Sequence, residues 1–276
     1  MYEILEKKQF SPDVYYMRVE AKEIAENRHP GQFVIVQLDD KFSERVPLTI
    51  ADADAKEGWI ALVIQAVGAS TIKMCRMNVG DKFAVVLGPL GVPSEIEKAK
   101  HVVGVAGGIG AAPLYPIIQA HKALGNYVTV INGARNKDLV VFEEELGSVC
   151  DKQIITTDDG SYGIKALVTV PLKELCQSDN PPDLVIAIGP PIMMKFAAKT
   201  TEEFGIKTIV SLNTVMIDGT GMCGCCRVEV DGKMKFVCVD GPDFDGHLVN
   251  FDNMMARMKT FHKQEADHKC RIGLTN

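Results

Sequence analysis

Four metal-competent side chains crowd one short stretch. They run Asp218-x4-Cys223-x2-Cys226, and eleven residues separate Cys226 from Cys238. Plant-type [2Fe–2S] loops space their cysteines C-x4-C-x2-C with a distant fourth, so this chain has that spacing with Asp in the first place. A carboxylate is a competent anionic ligand, though harder than thiolate. The glycine-rich segment DGTGMCGCC can wrap a cluster and offer backbone N–H groups to its sulfurs. Zinc held by Cys223, Cys226, Cys238 and either Cys225 or Asp218 is the competing reading. Zinc knots usually show two C-x2-C pairs, and this chain shows one. Cys225 falls between two proposed ligands and is expected to point away from them. The other cysteines, Cys75, Cys150, Cys176 and Cys270, are scattered.

A second group of residues could bind phosphate. Gly107-Gly108-Ile109-Gly110-Ala111-Ala112-Pro113 follows an apolar strand and opens a helix. Glycine lets the backbone approach a pyrophosphate, and a helix N-terminus offers N–H groups and a positive dipole. The motif falls short of G-x-G-x-x-G, and a tight turn without ligand fits it as well. Gly189-Pro190-Pro191 and Asp158-Asp159-Gly160 end two further expected strands. Ligands of open parallel sheets bind beyond the carboxyl ends of strands, so three loops on one rim point to a nucleotide. Arg45-Val46-Pro47-Leu48-Thr49 and Gly68-Ala69-Ser70-Thr71 form a weaker pair, Ser70 and Thr71 being good caps and phosphate contacts. No catalytic triad and no histidine metal spacing is legible.

The elements that must position these residues fall into three units. Short apolar bursts at 2–5, 14–19, 33–38, 48–51, 59–67 and 83–87, with one helix-like insert at 71–77, predict a β-barrel or sandwich over 1–97. Strands alternating with helices from His101 predict a parallel, doubly wound sheet over 98–211. Residues 212–276 hold the cysteine loop, a hairpin around Asp231-Gly232 and a helix over 248–261. In that helix the methionines 254, 255 and 258 read as a packing face.

Composition narrows the partners. The 276 residues carry 30 Lys+Arg against 36 Asp+Glu, a net charge of −6, which argues against a nucleic-acid binder. Residues 1–10 are charged where a signal peptide needs an apolar run, and the uncharged run 102–120 is broken by glycine and proline. A cytoplasmic protein, with no membrane role, is expected.

The order of these motifs resembles the ferredoxin–NADP⁺ reductase superfamily over nearly the whole chain. PGQFV (30–34), RVPLT (45–49), GAST (68–71), GGIGAAP (107–113) and GPPIMM (189–194) fall where the family's motifs fall. The fold implied is a flavin-binding β-barrel plus an α/β parallel-sheet nucleotide-binding domain, with a small C-terminal iron–sulfur unit. TTDDGSYGIKALVT (156–169) and VCVDGP (237–242) look like electron-transfer subunits of dihydroorotate dehydrogenase. They look equally like small subunits of NADH-dependent ferredoxin:NADP⁺ oxidoreductase. Asp218 in place of cysteine, and the helix-like tail 251–265, are similar to the second group.

The resemblance implies FAD along Pro47, Leu48, Thr49, Ile64, Gln65 and Val67, with its pyrophosphate at Gly68, Ser70 and Thr71. Arg45 would assist, although it stands four residues before Thr49 where the family arginine stands three before. NAD(H) or NADP(H) would lie on Gly108, Ile109, Gly110, Ala111, Ala112, Asp158, Asp159, Gly189, Pro190 and Met193, with Arg135 near a ribose phosphate. Asp218, Cys223, Cys226 and Cys238 would hold the [2Fe–2S] cluster. The implied partner is a larger subunit with its own flavin and [4Fe–4S] clusters. The pair would form a heterodimer that couples NADH, NADPH and ferredoxin by electron bifurcation.

Overall fold

The computed structural model describes residues 1–39 and 43–271. Its N-terminal part holds strands β1 (Tyr2–Ser11), β2 (Val14–Glu20), β3 (Phe33–Gln37), β4 (Val46–Asp54), β5 (Trp59–Gln65), β6 (Lys82–Phe83) and β7 (Val85–Leu90). They form one antiparallel sheet ordered β6-β1-β2-β5-β4-β3-β7. The two edge strands are chain neighbours separated by Ala84, whose N–H donates to the Gln37 carbonyl at 3.1 Å. The sheet therefore curls back on itself into a barrel, which removes the exposed edges. Helix α1 (Lys22–Asn27) was not legible in sequence: it has six residues and buries only Ile24 and Ala25, too few to show a period. Helix α2 (Ala69–Arg76) is the expected insert.

Strands β3 and β5 read as apolar runs because they are covered on both sides. In β5, Ile60, Leu62 and Ile64 fill the barrel. The intervening Ala61 and Val63 pack outward against the second sheet. In β3, Val34 and Val36 point inward, while Phe33 and Ile35 join the core that contains Cys226 and Cys238. Alternation is intact, but both faces are dry.

The second sheet comprises β8 (His101–Gly107), β9 (Tyr127–Ala134), β10 (Lys152–Thr157), β11 (Ile164–Lys165), β12 (Leu184–Ile188) and β13 (Lys207–Ser211). These strands are parallel and ordered β11-β10-β9-β8-β12-β13. The order reverses between β8 and β12, which is where such folds open a ligand crevice. Helices α3 (Ala111–Ala123), α4 (Glu143–Ser148), α5 (Thr169–Cys176) and α6 (Pro191–Glu202) connect the strands. Helix α4 starts only at Glu143, after Phe142 leaves the helical region with φ 58°. Phe142 meets Phe10 of the barrel edge-on, with centroids 5.3 Å apart.

The C-terminal segment contains β14 (Arg227–Val230), β15 (Lys233–Phe236), α7 (Val237–Asp240), β16 (Asp243–Asp245), α8 (Phe251–Met258) and α9 (His262–Arg271). Asp231 and Gly232 both have positive φ, 52° and 66°, the geometry a two-residue hairpin requires. The hairpin stops at Phe236, and VCVD turns into α7 instead of extending the strand. Strand β16 adds antiparallel to β13, so this segment completes the nucleotide sheet as well as carrying the cysteines. Met254 is buried, with Met255 and Met258 packed against the same core, so the methionine stripe is a packing face. Met254 and Met258 also line an open surface pocket with Cys225 and the exposed Phe261.

One buried carboxyl ties the three segments together. Ser94, between the two sheets, donates to Asp243 Oδ2 at 2.5 Å, and the Val92 N–H donates to the Gly241 carbonyl at 2.7 Å. Burial pushes the Asp243 carboxyl above its ordinary value of 3.8, while the Ser94 and Ser211 hydroxyls pull the other way. A raised folded-state pKa means the folded chain binds this proton more tightly than the unfolded one. The stability it contributes is complete below the ordinary value and is lost as pH rises through the raised one. Urea unfolding followed upward from pH 3.8 should show this fall in the wild type and not in Asp243→Asn. Ser94→Ala should cost about 1–3 kcal/mol at acidic pH. Parallel pH profiles for wild type and Asp243→Asn would refute the assignment.

Candidate functional site

The glycine loop Gly107–Gly110 and the Gly189-Pro190 loop meet at the β8/β12 reversal. A Cβ on Gly107 would lie 2.5 Å from Met193 Sδ and 2.8 Å from Pro190 Cδ, and one on Gly110 would collide with the Ile188 carbonyl. These glycines are therefore needed for the two loops to touch. Gly108 is different. Its φ is +54°, yet a Cβ there would meet nothing within 4 Å, so it faces open space over the crevice. Ala111 and Ala112 are buried and can offer a ligand only their backbone. Ile109 and Met193 are half-buried, and Pro190 is exposed.

Asp158, Asp159 and Arg135 stand exposed at the ends of β10 and β9 on the same rim. The Asp158 and Asp159 N–H groups donate to the Ala134 and Arg135 carbonyls at 3.0 and 3.2 Å, which joins the two loops. Asp159 Oδ1 accepts from the Ser161 N–H at 2.9 Å and the Ser161 hydroxyl at 2.6 Å. These bonds hold the Asp159 carboxyl below its ordinary value.

In the barrel, the register pairs Ile35 with Pro47, Val34 with Leu48 and Phe33 with Thr49. Directly paired residues share a sheet face, so Pro47 and Thr49 point outward with Ile35 and Phe33. Leu48 turns onto the barrel core, and Ile64 is fully buried within it, so these two present only backbone to a ligand. Gln65 and Gly68 are half-buried, and Val67 is exposed. The cap of α2 differs from expectation. Gly68 is the N-cap, and Thr71 Oγ1 accepts from the Gly68 N–H at 2.9 Å and the Val67 N–H at 3.2 Å. Ser70 does not cap; its hydroxyl donates to Glu44 Oε2 at 2.5 Å. Glu44 thus sits at the helix terminus where a phosphate is expected, a contact across 26 positions that no local pattern announces.

The cysteine loop lies against this same strand pair. A Cβ on Gly219 would lie 2.7 Å from Ile35 Cγ1, and Ile35 is the register partner of Pro47. Cys226 and Cys238 are buried with their sulfurs 3.2 Å apart. The Cys238 N–H points at Cys226 Sγ at 3.5 Å. Burial pushes the Cys238 thiol up to about 12. Cys223 is exposed, and backbone N–H groups of Cys225, Asp218 and Ile217 hold its thiol below the ordinary value. Cys225 is half-buried, and burial first, then the neighbouring Cys223 thiol, raises its thiol above the ordinary value. Asp218 Oδ2 accepts from the Thr220 N–H at 3.0 Å, the Thr220 hydroxyl at 2.5 Å and the Met222 N–H at 3.2 Å.

No three donors among the described residues yet converge on one point. The donor chemistry nevertheless fits an iron–sulfur cluster. Asp218, Cys223 and Cys226 sit on one loop whose glycines 219, 221 and 224 all have positive φ, and Cys238, in α7, brings its sulfur and its N–H to Cys226. An antiparallel barrel, a parallel sheet with its crevice at the order reversal, and a cysteine loop against the barrel define a ferredoxin-reductase-like oxidoreductase with an added iron–sulfur segment.

The comparisons with known proteins agree. The family model for the iron–sulfur cluster binding domain of dihydroorotate dehydrogenase B matches residues 213–250. An uncharacterized protein of the adh 3′ region of Clostridium beijerinckii is 48% identical, the match covering 99% of this chain and 94% of that one. The dihydroorotate dehydrogenase B (NAD⁺) electron transfer subunit homolog of Thermotoga maritima is 43% identical, over 95% and 92% of the two chains. A chain from the structure of an NADH-dependent reduced ferredoxin-NADP oxidoreductase, described in relation to flavin-based electron bifurcation, superposes with a TM-score of 0.92. It is 41% identical and covers 99% of this chain and 98% of that one. A ferredoxin NADP⁺ reductase from Neisseria gonorrhoeae, 17% identical with TM-score 0.61, shares the fold. The chain belongs to the family of dihydroorotate dehydrogenase B-type electron transfer subunits. No described helix is long and apolar enough to cross a membrane.

Proposed function

We propose that this chain is the flavin and [2Fe–2S] subunit of an electron-bifurcating NADH-dependent ferredoxin:NADP⁺ oxidoreductase. The observation that carries it is the contiguity of the two redox sites: the cysteine loop packs on Ile35, whose register partner Pro47 belongs to the flavin motif. When bound, FAD would supply the link between two-electron hydride exchange and the one-electron cluster. The chain's work is to bind and orient. Pro47 and Thr49 would line the flavin ring, with the backbone at Ile64 and the first turn of α2 supporting it. Glu44 must leave Ser70 for the pyrophosphate to seat there. Backbone at Gly108–Ala112, with Gly189, Pro190 and Met193, would hold the nicotinamide nucleotide, and Asp158, Asp159 and Arg135 its ribose end. Asp218, Cys223, Cys226 and Cys238 would hold the cluster.

The partner reading rests on the surface around that loop. Met222, Ile217 and Val239 are exposed large apolar residues, Met222 at 87%. Exposed apolar groups beside a redox loop suit a larger protein that accepts its electrons. We infer a subunit carrying a second flavin and [4Fe–4S] clusters, through which ferredoxin is reached. The match of the cluster segment to dihydroorotate dehydrogenase B favours a second reading, a dihydroorotate-oxidising partner. Anaerobic co-purification from native cells decides between them. A larger flavin and [4Fe–4S] subunit is expected, whereas a dihydroorotate-oxidising barrel would transfer the chain to the second reading. Zinc without acid-labile sulfide in the purified protein would sink both.

A further inference from the structure

The arginine before β4 is out of step with the pattern it resembles, and the structure shows where it goes. In the resembled pattern the arginine stands three residues before the Ser or Thr. Here that place is taken by Val46, which packs against the barrel core. Side chains alternate along a strand, so a one-residue shift moves a group to the other face. Arg45 shares the parity of Pro47 and Thr49, the outward residues. Its guanidinium accordingly reaches the cysteine loop, with Nη1 3.7 Å from Asp218 Oδ1.

Asp218 is the unusual donor, a carboxylate where the spacing otherwise calls for cysteine. A carboxylate can rotate and bind through either oxygen. Oδ2 is committed to three donors of its own loop, Thr220 N–H, Thr220 hydroxyl and Met222 N–H. Oδ1 is left to face Arg45 and whatever the loop holds. An ion pair of this length is too long for a hydrogen bond. Both side chains are partly exposed, 37% and 20%, so the pair contributes little to stability. Its effect falls instead on the group Asp218 would ligate. A fixed positive charge beside a ligand favours the more negative, reduced state of the site.

We propose that Arg45 is a positioning residue for the Asp218 ligand: with the Asp218 loop bonds it sets the carboxylate's orientation, and its charge raises the potential of the cluster. This rests on the iron–sulfur reading above. The barrel that would carry the flavin would thereby also set the driving force for the electron leaving it.

The test compares wild type, Arg45→Gln and Arg45→Lys in anaerobically purified full-length chain. Iron, acid-labile sulfide and flavin contents, the reduced-state EPR spectrum and the cluster midpoint potential are measured. Arg45→Gln should keep iron, sulfide and flavin. Its reduced-to-oxidised ratio at a given potential should fall about tenfold, equivalent to about 59 mV for one electron, with altered EPR g-values. Arg45→Lys, which keeps the charge and loses the planar fork, should recover most of the potential and not the spectrum. Loss of flavin with unchanged potential and spectrum would overturn the proposal and return Arg45 to the flavin phosphate. Unchanged values throughout would overturn it too. Absence of iron and sulfide in the wild type would instead overturn the reading beneath it.

Discussion

Cys238→Ala should lose its cluster and keep its flavin. Cys238 is buried, its sulfur lies 3.2 Å from that of Cys226, and a Gly221 N–H faces it. Cys226, the thiol beside it, is itself a proposed ligand and so cannot replace it. Iron and acid-labile sulfide should fall to background. The proposed flavin contacts lie on β4, β5 and α2, so a flavin band bleached by NADH should persist while reduction of one-electron acceptors is lost. A group bound only by the folded chain stabilises it by about 4 kcal/mol at a thousand times its Kd, so the variant should also melt earlier. Cys225→Ala is the control and should retain the cluster. Loss of iron in Cys225→Ala with retention in Cys223→Ala would mean that the ligand set is misassigned.

Gly110→Ala and Gly108→Ala should fail in different ways. At Gly110 the new methyl would strike the Ile188 carbonyl, with Gly189 Cα 2.9 Å away. These are backbone atoms of the facing loop and cannot rotate aside. Overpacking of this kind costs about 3 kcal/mol, and the whole crevice should loosen with it. At Gly108 the methyl meets nothing within 4 Å, and only the φ of +54° resists it. That strain costs roughly 1 kcal/mol, so the fold should survive. The methyl would project where the nucleotide phosphates are proposed to lie, so the NADH concentration needed to bleach the flavin should rise with Tm nearly unchanged. An unchanged Tm for Gly110→Ala would contradict the loop apposition. Unaltered NADH dependence for Gly108→Ala would move the phosphates elsewhere.

The two sheets were legible because each rests on a local signal. The barrel's apolar bursts and the alternation of strands with helices after His101 survive in the structure, as does the Asp231-Gly232 hairpin. The misses are equally local in cause. Helix α1 is too short to show a period. Helix α4 begins only after Phe142, which leaves the helical region. VCVD has β-branched residues but folds as α7, where Val237 and Cys238 join the core around the cysteine loop. The N-cap of α2 is Gly68, with Thr71 bonding back to it as a cap residue, while Ser70 does not cap because it faces Glu44.

Residue type and spacing were sufficient to carry the family resemblance and to single out candidate cluster donors and glycine loops. Each of those depends on chain neighbours, and neighbours are what a sequence records. Contacts between distant segments needed the folded molecule. Ile35 against Gly219, Arg45 against Asp218, Ser70 against Glu44 and Ser94 against Asp243 join residues far apart in the chain. Strand β16 likewise leaves the cysteine segment to complete the nucleotide sheet. Such pairs leave no periodic trace, because a single long-range contact constrains one side chain at each end and nothing between. Two of them, Ile35 against Gly219 and Arg45 against Asp218, bring the cysteine loop to the strands proposed to line the flavin.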